Sequence, residues 1–242
     1  MKIVVFNGSP KGKRGNTSVV AEAFLRGAAA AGAETEQIFL HEKEIKHCTG
    51  CLSCWTKTPG RCVQKDDMAP LVEKYLAADV AVLATPLYVD NMTGMTKVFM
   101  DRLMPACDPH FEPDENGETR HVKTEWKMPK LGVISTCGFP EQTQFQVLKL
   151  LFRRMARNMH GELAVEIYRG QGNLLTIPHD MITPIVENYK KTVEKAGREV
   201  VETGRISDET AAELDKPLVP KEMYIDNANR HWDKSRKGKG KN

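Results

Sequence analysis

No stretch of the sequence approaches the roughly 20 consecutive apolar residues that a helix needs to cross a bilayer, which excludes a helical membrane protein. The first ten residues hold only a short apolar run before a turn, too little for the core of a secretory signal. They read as a first strand, and the expected compartment is the cytoplasm. A strong charge of either sign is also missing, since 35 basic residues face 32 acidic ones and leave a net charge of +3. Several of the basic residues sit in the terminal run 234–241, spaced by glycine and free of aromatics. That run reads as a solvated tail, so nucleic acid is not an expected partner.

What is present is alternation. Residues 2–6 form a β-branched run that ends in Asn-Gly-Ser-Pro, and residues 16–31 follow with helical spacing. Residues 34–40 predict a second strand, and Asp66-Asp67 cap a helix running to about Ala77. Residues 79–84 predict a buried third strand, followed by a helix that contains Lys97, Phe99, Asp101 and Arg102. Residues 105–129 mix proline, histidine and Asp-Glu-Asn-Gly, the pattern of an inserted hairpin or lid in which His110, His121 and Trp126 can shape a pocket or simply pack. Residues 130–135 and 163–168 restore the strand pattern on either side of a helix marked by Leu148, Leu151, Phe152, Met155 and Met159. A last long helix runs from Pro178 to about Thr203. Five strands alternating with helices predict an α/β three-layer sandwich around a five-stranded parallel sheet. The expected division is a main domain over 1–204, with a cysteine-rich loop at 47–65, and a C-terminal extension over 205–242 that carries Tyr224 and Trp232.

Between the first strand and first helix lies Gly8-Ser-Pro-Lys-Gly-Lys-Arg-Gly-Asn-Thr-Ser18. Backbone N–H groups at such a junction favour an anion, and the Ser, Thr and Asn side chains can add hydrogen bonds. No Lys-[Ser/Thr] follows Gly15, and the spacing is not Gly-x-Gly-x-x-Gly, so both an ATP loop and a primary dinucleotide site lose ground to a monophosphate.

Four of the six cysteines fall within fifteen residues, as Cys48-x2-Cys51-x2-Cys54-x7-Cys62. Three thiolates at steps of three can wrap one side of a cubane and the fourth can complete it, as a [4Fe–4S] cluster requires. Structural zinc, which usually takes two separated Cys-x-x-Cys pairs, and a metal-free set of packing or redox-sensing thiols are the other readings. His41 and His47 flank the stretch and are candidates for replacing a ligand or for a surface role.

The Gly-Ser-Pro-Lys and Gly-Asn-Thr segments, with Thr85-Pro-Leu-Tyr88 and the stretch from Lys97 to Asp101-Arg102, resemble the NADPH-dependent FMN reductase branch of the flavodoxin-like proteins. The cysteine stretch, continued by Val-Gln-Lys-Asp-Asp-Met68, is similar to the iron-sulfur flavoprotein subgroup of those reductases. Two departures stand out: the last cysteine spacing is long, and Trp55-Thr-Lys-Thr-Pro-Gly60 fills it. The resemblance implies that Ser9, Lys11, Asn16, Thr17 and Ser18 hold the phosphate of FMN. It further implies that Pro86, Leu87, Tyr88, Val89 and Asn91 line the ring, and that Ser135, Thr136, Cys137 and Gly138 form a third wall. Cys48, Cys51, Cys54 and Cys62 would hold the cluster. Flavin N5 would carry the chemistry, with no catalytic side chain required. The implied protein is an oxidoreductase relaying electrons to a one-electron carrier such as ferredoxin, assembled as a homodimer or homotetramer. A cluster-free NAD(P)H-dependent flavin, quinone or nitro reductase acting on a small-molecule acceptor, and a non-enzymatic flavin carrier or sensor, stay open beside it.

Overall fold

The computed structural model describes residues 1–237, so Lys239 and Lys241 of the basic tail lie outside the described residues. Along the chain run β1 (Lys2–Asn7), α1 (Asn16–Ala30), β2 (Glu34–Phe39), the short α2 (Ser53–Thr56), α3 (Met68–Ala77), β3 (Val80–Pro86) and α4 (Gly94–Asp101). Then follow β4 (Phe111–Pro113), β5 (Thr119–His121), β6 (Lys130–Thr136), α5 (Gln146–Asn158), β7 (Leu163–Arg169), α6 (Thr183–Thr203), α7 (Asp208–Asp215) and α8 (Lys221–Lys237). Five strands form one sheet in the order β2-β1-β3-β6-β7, and every pairing within it is parallel. This is the expected three-layer sandwich with the strand order of flavodoxin-like folds.

The central strands read as unbroken apolar runs because helices cover both faces of the sheet; β3 is buried along its whole length. Edge strand β2 carries Glu34, Thr35 and Glu36 in its half-exposed start and is buried only at its last two residues. Alternate side chains feed two cores. Ile3, Val5 and Val82 pack with Phe24 of α1 and with Val193 and Val200 of α6, while Val4, Phe6 and Leu83 pack with Tyr75 of α3, Phe99 of α4 and Phe152 of α5. Helices α1 and α6 touch through their backbones: a Cβ on Gly27 would lie 1.9 Å from the Glu194 carbonyl oxygen, and one on Gly197 would lie 2.1 Å from that of Phe24.

The long helix begins at Thr183 rather than at Pro178. The preceding residues form a turn in which Ile182 and Thr183 N–H donate to the His179 carbonyl, and Pro184 takes a first-turn position where its missing N–H costs nothing. Strands β4 and β5 form an antiparallel hairpin held against α5 by Arg157 on Asp114 at 2.7 Å and Arg154 on Glu118 at 2.5 Å. Beyond Gly204, α7 inserts Leu214 into the α1–α6 core. Buried Gln171 then clasps the connector to α8, accepting from Leu218 N–H at 2.7 Å and donating to the Val219 carbonyl at 2.8 Å. No described helix is long and apolar enough to cross a membrane.

Candidate functional site

The loops after β1, β3 and β6 meet at the carboxyl edge of the sheet, next to the point where the chain turns outward from β1 to β2 on one side and resumes at β3 on the other. In the first loop, Asn7 accepts from Ser9 N–H at 2.9 Å and donates to Ser18 Oγ at 2.9 Å. Ser18 Oγ in turn donates to the Gly12 carbonyl at 2.8 Å. The Ser18 hydroxyl is therefore buried and hydrogen-bonded inside the loop. Gly12 sits at φ 53, where a Cβ would come within 2.4 Å of the His41 ring, and a Cβ on Gly15 would lie 2.6 Å from Ser9 Oγ. Both glycines let the backbone close tightly.

Helix α1 starts behind Gly15, which offers its first N–H groups no side-chain cap among the described residues. Fifteen residues of aligned peptide dipole thus end in open donors. Around them stand the Ser9 hydroxyl, the exposed Lys11, and Thr17 Oγ1, which shares a hydrogen bond of 2.8 Å with Thr136 Oγ1 of the third loop. This donor set fits a phosphate monoester dianion. Asn16 is partly engaged elsewhere, donating to Asn173 Oδ1 at 3.4 Å and accepting from Thr176 Oγ1 at 2.9 Å.

The second loop is fixed to both of its neighbours. Leu87 N–H donates to the Thr136 carbonyl at 2.8 Å, and Thr93 Oγ1 donates to the Gly8 carbonyl at 2.7 Å. Tyr88 and Asn91 exchange backbone hydrogen bonds of 2.8 and 3.1 Å across Val89 and Asp90, which stand at φ 49 and φ 57. Two left-handed central residues make a type I′ turn, a geometry usually given to Asn and Gly. A valine that is 97% exposed holds it here. In the third loop Ser135 and Thr136 are buried, and the Ser135 hydroxyl has no partner among the described residues. Burial pushes the Cys137 thiol up to about 11, so it is neutral near pH 7. The Gly138 carbonyl accepts from Tyr224 OH at 2.6 Å.

The four clustered cysteines line one cavity of about 250 Å³, together with Asp101 at the end of α4 and Met104 just beyond it. Gly50 at φ 66 and Leu52 at φ 54 bend the chain around it. Hydrogen bonds from the Ser53 hydroxyl and N–H, with Thr49, pull the Cys51 thiol down to about 7. Burial raises the Cys54 thiol, and the neighbouring Cys62, Cys48 and Cys51 raise it further. Among the described residues no three His, Cys, Asp or Glu side chains converge on a single-ion position; the thiols ring a space instead. His41 packs on Phe39 and against Gly12, and neither His41 nor His47 lines the cysteine cavity. Of the hairpin residues, His121 lies against Trp55 and Trp126 borders a groove beside Cys54.

One charge pair was not foreseen as a pair, although Asp66 was read as a helix cap and Arg102 as part of the stretch that carries the family resemblance. Arg102, at the end of α4, is 2% exposed. Its Nη1 donates to Asp66 Oδ2 at 2.6 Å and to the Lys46 carbonyl at 2.7 Å, and its Nη2 donates to Asp66 Oδ1 at 3.1 Å. Burial opposes its charge, but Asp66 and a hydrogen bond to Cys62 more than offset that and raise its pKa. Burial likewise works to raise the Asp66 carboxyl, yet the bonds from Arg102 and from the Lys46 and Met68 N–H groups hold it below the usual carboxylate range. The pair fastens both ends of the cysteine loop to α4.

Sheet order and edge loops together define a flavodoxin-like α/β protein. More narrowly, the chain belongs to the NADPH-dependent FMN reductase family, whose pattern residues 1–159 match. It is 41% identical over 105 residues to a protein of Archaeoglobus fulgidus named iron-sulfur flavoprotein, covering 43% of this chain and 46% of that one. It is 36% identical over 105 residues to an iron-sulfur flavoprotein of Methanocaldococcus jannaschii, covering 43% and 53%. The matches thus span about half the length of these relatives. Among solved structures, an FMN-dependent NADH-azoreductase of Bacillus anthracis in complex with FMN shares the fold, with a TM-score of 0.59, 18% identity and coverage of 83% of this chain and 100% of the other.

Proposed function

We propose that the chain is an FMN-dependent oxidoreductase in which Cys48, Cys51, Cys54 and Cys62 hold a [4Fe–4S] cluster that exchanges electrons with the flavin and with a one-electron carrier such as ferredoxin. The observation that carries this reading is the convergence of all four thiols on one cavity. Helix α4, which begins just after the ring loop, ends at that cavity. Eight residues at about 1.5 Å each put roughly 12 Å between its ends.

Bound there, FMN supplies hydride and single-electron transfer at N5 and the cluster supplies one-electron transfer. The chain's own residues bind and orient. Ser9, Lys11, Thr17 and the open end of α1 take the phosphate, and Asn16 completes the mouth from the side of Asn173. The segment from Pro86 to Asn91 and the stretch from Ser135 to Gly138 wall the ring. Arg102, through Asp66 and the Lys46 carbonyl, holds both ends of the cysteine loop in place. NAD(P)H is a co-substrate consistent with the family's description.

Anaerobically purified protein is expected to contain FMN together with iron and acid-labile sulfide. Cys54→Ser is expected to lose the iron while retaining the flavin. A preparation with stoichiometric FMN and no iron removes the cluster and leaves a cluster-free NAD(P)H-dependent reductase. A protein that is colourless and cannot be reconstituted with FMN overturns the reading altogether.

A further inference from the structure

Seven residues separate Cys54 from Cys62, a long span between two thiols that face one space, and a loose loop of that length would resist closure entropically. The span is not loose here. Within it, Gly60 N–H donates to the Cys54 carbonyl at 3.1 Å, Thr58 N–H to the Ser53 carbonyl at 2.8 Å and Thr58 Oγ1 to the Arg61 carbonyl at 2.8 Å. Both of its ends also meet the chain beyond α4. Trp55 Nε1–H donates to the Met104 carbonyl at 3.0 Å, and the Trp55 ring lies 5.6 Å from that of His121 in β5. At the other end, a Cβ on Gly60 would stand 3.5 Å from the Trp126 ring. We propose that the β4–β5 hairpin and the segment after it brace the cysteine loop, with Trp55 the positioning residue that presets Cys54 against Cys62 before any metal binds.

A brace has to be held itself, and this one is. Asp114 and Glu118 in the hairpin turn pair with Arg157 and Arg154 of α5. His160, just past α5, donates from Nε2 to the His121 carbonyl at 2.7 Å. Phe111 of β4 also packs on the His121 ring, at 5.5 Å between centroids. The ring that meets Trp55 is therefore fixed through the hairpin to the body of the domain. The four thiols are not equally covered: Cys48 and Cys51 are exposed, whereas Cys54 and Cys62 are partly buried. Cys54 borders both the cysteine cavity and the groove beside Trp126, so its access from the hairpin side depends on where Trp55 stands. Residues 105–129 thus serve the cysteine site rather than cover a substrate. The consequence for metal retention rests on the proposed cluster, and the consequence for the bare thiols does not.

Two readouts test this on the full chain. Metal-free, reduced protein is treated with iodoacetamide, and alkylation of each cysteine is followed by mass spectrometry; iron-loaded protein is challenged with a ferrous chelator under argon. Trp55→Ala is expected to speed both Cys54 alkylation and iron release about tenfold, with buried Cys137 unchanged. Trp55→Phe keeps a ring against His121 and is expected to recover most of both losses. His121→Ala is expected to act in the same direction, and combined with Trp55→Ala to add nothing further, because one contact can be lost only once. The inference is overturned if Trp55→Ala leaves the Cys54 rate within about twofold of wild type. It is equally overturned if Trp55→Phe is as damaging as Trp55→Ala, which would place the hold in the Met104 bond alone, if the two alanine effects add, or if Cys137 accelerates in parallel, which would mean general loosening. A chain that takes up no iron yet shows the Cys54 pattern sinks the cluster and leaves the brace standing. An iron-loaded chain without the pattern does the reverse.

Discussion

Replacing Arg102 with methionine leaves the Asp66 carboxylate, whose side chain has no solvent exposure, without its ion-pair partner. The two N–H groups that also bind it do not supply a counter-charge. Removing one member of a buried pair typically costs about 3–5 kcal/mol, which for a domain of this size lowers the melting temperature by roughly 10 °C. Urea unfolding with linear extrapolation measures the loss directly. The pH dependence gives a second, independent reading. In the wild type the Asp66 pKa is depressed, so its contribution is present above the unfolded-state value near ~3.9 and is lost as pH falls through the folded-state value. In the variant, burial is left to act with weaker opposition and the pKa rises. The penalty then applies above the raised value and is relieved on acidification. Relief of the variant's penalty narrows the gap between the two proteins as pH falls toward about 4, and the wild type's own loss narrows it further below that. The double variant Arg102→Met with Asp66→Asn is expected to regain part of the loss, because no isolated charge stays buried. A cost below about 1 kcal/mol at pH 7, or a gap that widens in acid, would refute the account.

Val89→Gly removes a β-branched residue from a left-handed position where it makes little contact, so stability is expected to rise by up to about 1 kcal/mol; a clear loss by the same urea assay would count against strain in that turn. Gly197→Ala drives a methyl into the Phe24 carbonyl and is expected to cost about 1–3 kcal/mol, whereas a neutral result would mean that α1 and α6 slide apart freely. Thr17→Val deletes the hydroxyl shared with Thr136 and is expected to weaken FMN binding about tenfold, measured by flavin fluorescence on titration, with cysteine-bound iron unaffected. Tyr224→Phe removes the donor to Gly138 at a cost of about 1 kcal/mol, read from thermal unfolding.

The strands at residues 2–6 and 79–84 were legible because a sheet covered on both faces demands continuous β-branched and apolar runs, and few other structures do. The tight turn between β1 and α1 was legible for a related reason: its glycines serve backbone geometry, which sequence encodes locally. Cysteine spacing likewise foretold a shared cavity. Long-range pairing was hidden. Asp66 and Arg102 stand 36 residues apart, and nothing in the pattern joins them as a pair until α4 brings them together. The hydrogen bonding of the Ser18 hydroxyl inside the loop was equally invisible, since its partners are Asn7 and the Gly12 carbonyl. Val89-Asp90 ran against its own composition, because valine argues against the left-handed backbone it adopts. Such local conflict concentrates where surrounding structure imposes a shape for use rather than stability.

The grip of Gln171 on residues 218 and 219 decides where this polypeptide can be shortened. A chain ending at Thr203 would strip Leu214 from one core and strand a carboxamide that now has three bonds in the interior. Trimming for expression or crystallisation should therefore begin from the far end of α8, where the final residues can be removed one turn at a time while the anchor at Tyr224 stays in place.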